Sequence, residues 1–455
     1  MAEEISGIAM NPHEGYNFHQ MGKDKLPMGI VIKNVIAAVG DPATAKTVDL
    51  RIDNGVITAV DEQPLPSSTD DMIVDGRGRF ALPGMINAHT HLPMSLFRGL
   101  ADDVTLDTWL NRYIWPAEKR LTDDDVYWGS LLSLAEMIKS GTTQVADMYF
   151  HTDSIARAVT DAHMRAVLSY GIVAGELDEH GKNELRKAQE VIERWEGASA
   201  GRIRTAVSPH AIYTCGKDVW TAAVDLAQQK HVPLHIHLSE TREEVTWAKE
   251  KWGETPVRAL DKLGVFSVPT IAAHCVHVTE QEIQILADRR ITAVHCPKSN
   301  AKLGNGHAPV VSLLKAGVNV ALGTDGAASN NSQDMIEEMR MASLLQKAQL
   351  EDPTVLPAWE ATMMATRNGA DALGMGARRI AVGEDADVVL VDLSEVDTVP
   401  AYDPFSALVY AGHASDVTDV IVAGEYLLRD RKLLTIDEER VKYEIGRRFG
   451  RLAAN

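Results

Sequence analysis

Five histidines and two acids in this chain close short apolar runs, where their side chains can converge on one point: His89, His91, His235, His237, His274, Glu240 and Asp325. Side chains two apart on a strand share a face, so His89-Thr90-His91 can aim both imidazoles at a single ion. A second H-x-H, His235-Ile236-His237, ends another run. His237 is nearer its C-terminal end and is the candidate ligand, whereas the deeper His235 reads as a hydrogen-bonded core residue. Glu240 follows three residues later, where a carboxyl can work as general acid and base. His274 ends Ile271-Ala-Ala and is chosen over His277, which would face the opposite side. Asp325 stands between Gly323-Thr and Gly326 as a candidate ligand and proton acceptor.

His89, His91, His237 and Asp325 together form a three-histidine, one-carboxylate set for one divalent ion per subunit. Zn²⁺ suits it best, and Fe²⁺ or Mn²⁺ also match the ligand types. With a position left for water, such an ion lowers the pKa of that water to about 7, which is hydrolytic chemistry. Taken singly, each residue has a plainer reading: core histidines, a solvated loop glutamate, a helix-capping or turn aspartate. Their joint placement at separate strand ends argues for a site.

A (β/α)8 barrel is the architecture that would put those ends together, because its active sites gather where the strands finish. Eight β-type runs alternate with helix-length amphipathic segments: Met85 to His91, Thr142 to Tyr149, Arg165 to Ile172, Ile203 to His210, Pro233 to Glu240, Thr270 to His277, Thr292 to Ser299 and Asn319 to Gly326. A doubly wound sheet is the alternative, but no G-x-G-x-x-G follows the first run. Alternating stretches before Pro83, with an Asn54-Gly55 turn signal, return only after Ala386. The expected organisation is an α/β chain. A small β-sandwich domain is formed by residues 29–83 and 380–437, a barrel by 84–379 and a C-terminal helix by 438–455, after a mobile tail over 1–28.

Lys and Arg number 45 against 64 Asp and Glu, a formal charge of -19. That average field repels a phosphate backbone, so no nucleic-acid partner is expected. Cys215, Cys275 and Cys296 are too few and scattered for a disulfide framework and read as reduced thiols in a cytoplasmic protein. The first 28 residues hold no apolar run long enough for a signal peptide or a membrane span, and no membrane partner is expected.

Pro83-Gly-Met-Ile-Asn-Ala-His-Thr-His, His237-Leu-Ser-Glu, Ala273-His-Cys-Val-His and Gly323-Thr-Asp-Gly resemble the amidohydrolase superfamily. That resemblance implies a barrel carrying a β-sandwich built from both termini. Two-metal members bridge their ions with a modified lysine at the end of strand four. This chain has Ser208-Pro-His210 there, so the resemblance implies the one-metal deaminase subtype. Trp115-Pro-Ala-Glu118, Ser208-Pro-His210, His295-Cys-Pro-Lys-Ser-Asn and Gly326-Ala-Ala-Ser-Asn are similar to the methylthioadenosine/S-adenosylhomocysteine deaminase group. The similarity implies an adenine-nucleoside substrate losing its 6-amino group, with Glu118 at the ribose hydroxyls and His210 at the purine edge. It also implies a homo-oligomer. Lys182 stands where members of the group place an arginine for the homocysteine carboxylate, a point charge in place of a bidentate fork. An s-triazine or another aminated or halogenated heterocycle is the alternative substrate. Glu240 favours loss of ammonia, and a non-catalytic scaffold fits poorly with a complete ligand set.

Overall fold

Five strands open the computed structural model, which describes residues 29–40 and 43–453: β1 (Ile30–Val39), β2 (Thr44–Asp53), β3 (Val56–Asp61), β4 (Met72–Asp75) and β5 (Arg79–Pro83). The segment read as a mobile tail, 1–28, lies outside the described residues. Asn54 and Gly55 both take positive φ, 50° and 81°, and turn β2 back on β3. A Cβ at Gly55 would lie 2.8 Å from the Ala423 carbonyl, so a glycine is needed where the C-terminal strands pass.

The eight central runs all become strands: β6 (Met85–Thr90), β7 (Thr142–Tyr149), β8 (Arg165–Ile172), β9 (Ile203–Pro209), β10 (Leu234–Leu238), β11 (Thr270–His274), β12 (Thr292–His295) and β13 (Asn319–Leu322). They pair in chain order into one parallel sheet, with helices between successive strands. Parallel strands covered on both faces are shut off from water along their length, and every residue of β6, β7 and β8 is buried, polar ones included. The seam between β13 and β6 is closed by the turn after β13 instead of by a ladder. Asp325 N–H donates to the His89 carbonyl at 3.0 Å, and Thr324 N–H to Asn87 Oδ1 at 3.0 Å. A Cβ on Gly323 would come within 2.8 Å of the His89 carbonyl. Its absence lets the turn carrying Asp325 press against the strand carrying His89.

Four further strands, β14 (Val388–Asp392), β15 (Val417–Val422), β16 (Glu425–Arg429) and β17 (Lys432–Leu433), join the first five through β14, which runs antiparallel to β5. The expected sandwich is one continuous nine-stranded sheet of both chain ends that curls on itself. Ile32, Leu50 and Ile57 from one end share an apolar cluster with Ile421 and Tyr426 from the other. Arg165 at the start of β8 ties this sheet to the barrel through Asp387, Nε to Oδ2, at 2.8 Å. A final helix, Glu438–Ala453, packs on the helix Asp123–Lys139 and pairs Arg451 and Arg448 with Asp125. No helix among the described residues is long and apolar enough to cross a membrane.

Candidate active site

His89, His91 and His237 bring their ligand atoms within 4.8 Å of one another at the C-terminal mouth of the barrel. Each ring is held by its other nitrogen. His91 Nδ1 donates to the Met148 carbonyl at 2.6 Å and His237 Nδ1 to the His210 carbonyl at 3.1 Å. His89 Nδ1 meets Nε2 of His235 at 2.9 Å, so His235 orients a candidate ligand from beneath. The three Nε2 atoms are thereby turned inward, and that of His89 is buried with no hydrogen-bond partner. Asp325 Oδ1 lies 3.2 Å from His91 Nε2 and 3.5 Å from His89 Nε2.

The electrostatics fit a divalent cation. Burial holds His89 down at about 4 and His237 well below its ordinary range, which keeps both neutral and able to donate a lone pair. Burial also raises the cost of ionising Asp325, yet the neighbouring His89 and His91 nitrogens keep it a carboxylate. His91 is the complement: against its burial, Asp325 pushes it up to about 9. Without an ion the carboxylate holds a proton on the nearest imidazole, that of His91. A metal in the same place would supply that positive charge and free the fourth donor.

The strand exits that aim these groups are strained. Ser239, His274 and Asp325 adopt left-handed φ values of 51°, 74° and 61° at the ends of β10, β11 and β13. Such conformations persist in non-glycine residues only where surrounding contacts enforce them. Glu244 accepts the backbone N–H of Ser239 at 3.0 Å and of Glu240 at 2.7 Å. Glu240 is thereby turned into the mouth, its Oε2 lying 3.7 Å from His274 Nε2, and burial lifts its carboxyl above the ordinary range. Asp325 Oδ2 receives two hydroxyls, Ser299 Oγ at 2.7 Å and Ser329 Oγ at 2.8 Å, leaving Oδ1 to the histidines.

These groups border a cavity of about 510 Å³ whose wall includes Trp109, Leu110, Ile114, Trp115 and Phe150. Glu118 lines it from the short helix Trp115–Glu118 and accepts the Tyr149 hydroxyl at 2.6 Å. Burial pushes its carboxyl upward against that bond. His210 lines the cavity beside His237, its ring centroid 4.6 Å away, and burial keeps it neutral, at about 3. Lys182 is not brought to the site. Its helix, Glu179–Trp195, is capped by Asp178, and Lys182 sits on the exposed face bonded to Glu179 at 3.0 Å. The one Lys or Arg lining the cavity among the described residues is Lys119. Tyr149, Ser299 and Ser329 contact site groups and carry no signal of their own in the sequence. Ser299 and Ser329 do lie inside the stretches His295–Asn300 and Gly326–Asn330 that carried the resemblance.

Residues 80–427 match the amidohydrolase family. The chain is 45% identical over 425 residues to the 5-methylthioadenosine/S-adenosylhomocysteine deaminase of Caldanaerobacter subterraneus subsp. tengcongensis, covering 92% of this chain and 98% of that protein. It is 48% identical over 371 residues to the 5'-deoxyadenosine deaminase of Methanothermobacter thermautotrophicus, covering 82% and 87%. Among solved structures, an adenosine deaminase from Xanthomonas campestris with bound zinc aligns with a TM-score of 0.87 at 36% identity, over 93% of this chain and 98% of that one. By the match across its barrel and the likeness over most of its length, this chain belongs to the amidohydrolase family.

Proposed function

We propose that the chain is a hydrolytic deaminase of adenine nucleosides, converting 5'-methylthioadenosine, S-adenosylhomocysteine, 5'-deoxyadenosine or adenosine plus water to the inosine analogue plus ammonia. The observation that carries this reading is the meeting, at one barrel mouth, of three convergent histidines, an ionised carboxylate and a separately held buried glutamate. The names of the similar proteins support the substrate class. One divalent ion, Zn²⁺ by preference, would be held by His89, His91, His237 and Asp325, and when bound it supplies Lewis acidity that makes water acidic enough to react near neutral pH.

The remaining chemistry belongs to side chains. Glu240 takes one proton from the attacking water at Oε2 and gives it to the ring nitrogen next to the amino-bearing carbon, where it stays; the second proton, from the added hydroxyl, is then carried to the amino group, which departs as ammonia. Burial raises its pKa above the ordinary carboxylate range, which favours a group that both takes and returns a proton. His274, with Nε2 facing Oε2, orients the attacking oxygen. Asp325, whose Oδ2 is occupied by two serines, works through Oδ1 alone as ligand and proton acceptor. Glu118 accepts hydrogen bonds from two adjacent ribose hydroxyls, and neutral His210 faces the purine edge.

The apolar wall suits a 5'-methylthio or 5'-deoxy group. A carboxylate-bearing 5' substituent would find only Lys119 among the lining cations. A homo-oligomer in the cytoplasm completes the reading, and sedimentation tests the first. Ammonia release by the Zn²⁺-loaded protein from the four nucleosides and from melamine tests the function. Release from methylthioadenosine is expected, and release from melamine alone would refute the nucleoside reading.

A further inference from the structure

The helix Pro297–Lys302 leads into a loop in which Asn305 is flanked by Gly304 and Gly306, at φ values of 70° and 105°. The loop folds back over the barrel mouth. Asn305 N–H donates to the Asn300 carbonyl at 2.9 Å, and the Asn305 carbonyl accepts Nε2 of His277 at 2.8 Å. The Asn305 side chain is buried and its Nδ2 donates to Oε1 of Glu240 at 2.8 Å. Of the two Glu240 oxygens, one is therefore occupied by an amide NH2 group, which can only donate, while the other faces His274. His277, set aside in the sequence because it would face the opposite side from His274, anchors the backbone of the residue that holds the glutamate.

We propose that Asn305 is the positioning residue of the proton shuttle: its amide pins Glu240 Oε1 and leaves Oε2 as the single oxygen that exchanges protons, with His277 holding Asn305 in place through its carbonyl. The inference rests on the reading of Glu240 as general acid and base. An amide donor cannot take a proton from the acid, so it restricts the carboxyl to one orientation without competing for the proton. A glutamate free to rotate would spend part of its time with neither oxygen aligned to the ring nitrogen. The loss then falls on turnover, while ground-state binding through Glu118 and the apolar wall stays intact.

The test is a double-mutant cycle on the metal-loaded protein, with kcat, KM and metal content measured for Asn305→Ala, Asn305→Asp, Glu240→Gln and Asn305→Ala with Glu240→Gln. Asn305→Ala is expected to lower kcat roughly 10- to 100-fold, the size of one hydrogen bond to a charged partner. KM is expected to change by less than about threefold, with metal content unchanged. Asn305→Asp keeps the size of the side chain and the loop's backbone bonds while presenting a like charge, and should lose at least as much. In the Glu240→Gln background, Asn305→Ala should cost less than about twofold, since the group it positions is already gone. Unchanged kcat in Asn305→Ala, an equal loss in both backgrounds, or loss of metal in either Asn305 variant would overturn the positioning role. Full turnover by Glu240→Gln would instead overturn the reading of Glu240 itself, whatever Asn305 does.

Discussion

Removing the two hydroxyls behind Asp325 should weaken metal binding without touching a ligand. Ser299 Oγ and Ser329 Oγ both donate to Oδ2, at 2.7 and 2.8 Å, and Oδ1 is turned to the histidine nitrogens. A hydrogen bond to a charged acceptor contributes about 1.5–3 kcal/mol, and loss of a group that orients a ligand typically costs about 10–100-fold in metal affinity. The second range is about 1.4–2.7 kcal/mol, so the two estimates agree. Ser299→Ala and Ser329→Ala should each weaken Zn²⁺ binding by about 10- to 100-fold, and the double variant by more than either. Ser329 Oγ also faces the Gly326 carbonyl at 3.0 Å, at the start of the helix Ala327–Asn330, so Ser299→Ala is the cleaner of the two. Competition against a chelator of known affinity at neutral pH reads the effect, and thermal midpoints of the metal-free proteins separate it from general destabilisation. Wild-type affinity in the double variant would show that the serines do not orient Asp325.

Ala at His89 or His237 should abolish bound metal and turnover together, and a variant keeping both by metal analysis and assay would remove that residue from the ligand set. Glu240→Gln should keep its metal and lose about 10²–10⁴-fold in kcat; near-normal turnover with chemistry rate-limiting counts against the shuttle. Glu118→Ala should lower kcat/KM for methylthioadenosine far more than for free adenine, and equal losses would detach Glu118 from the ribose. Lys182→Ala should leave S-adenosylhomocysteine turnover within about twofold of wild type, since exposed pairs such as that with Glu179 contribute little. Burial lifts Glu338 to about 8, against the Asn330 amide at 2.6 Å. Its folded pKa lies above the unfolded value of 4.5, so this group's share of stability falls as pH rises between the two, by about 2 kcal/mol from pH 6 to pH 8. Glu338→Gln should flatten that part of the thermal pH profile, and an unchanged slope would contradict the shift.

The strands were legible because parallel barrel strands are buried on both faces and leave near-continuous apolar runs, each followed by an amphipathic helix. All eight runs named from the sequence became strands in the expected order, ending one to four residues earlier where the end was misjudged. Those truncated ends are chemical: β10 stops at Leu238 and β11 at His274, so Glu240 and His277 belong to the loops that shape the mouth. The small domain was legible as strands from both chain ends. Its curling into one continuous sheet depends on long-range contacts, such as that between Gly55 and Ala423, which no local pattern encodes.

What the sequence concealed is how side chains are held. Period-two spacing argues that His235 and His237 share a face, but not that His235 reaches sideways to His89 Nδ1. The same arithmetic set His277 aside because it falls on the wrong face of a strand. Its value arises after the strand has ended, where a left-handed His274 and Cys275 redirect the chain and period two no longer applies. Lys182 is the converse case. Correspondence with a family position placed it at the substrate, yet a charge acts through distance, and a capped helix beginning at Glu179 turns it to solvent. Residue type and spacing suffice where one regular element carries two groups, as with His89 and His91. Where a loop such as 303–307 brings a third element against the first two, the partner of Glu240 is decided by backbone turns at Gly304 and Gly306, and these are read only in three dimensions.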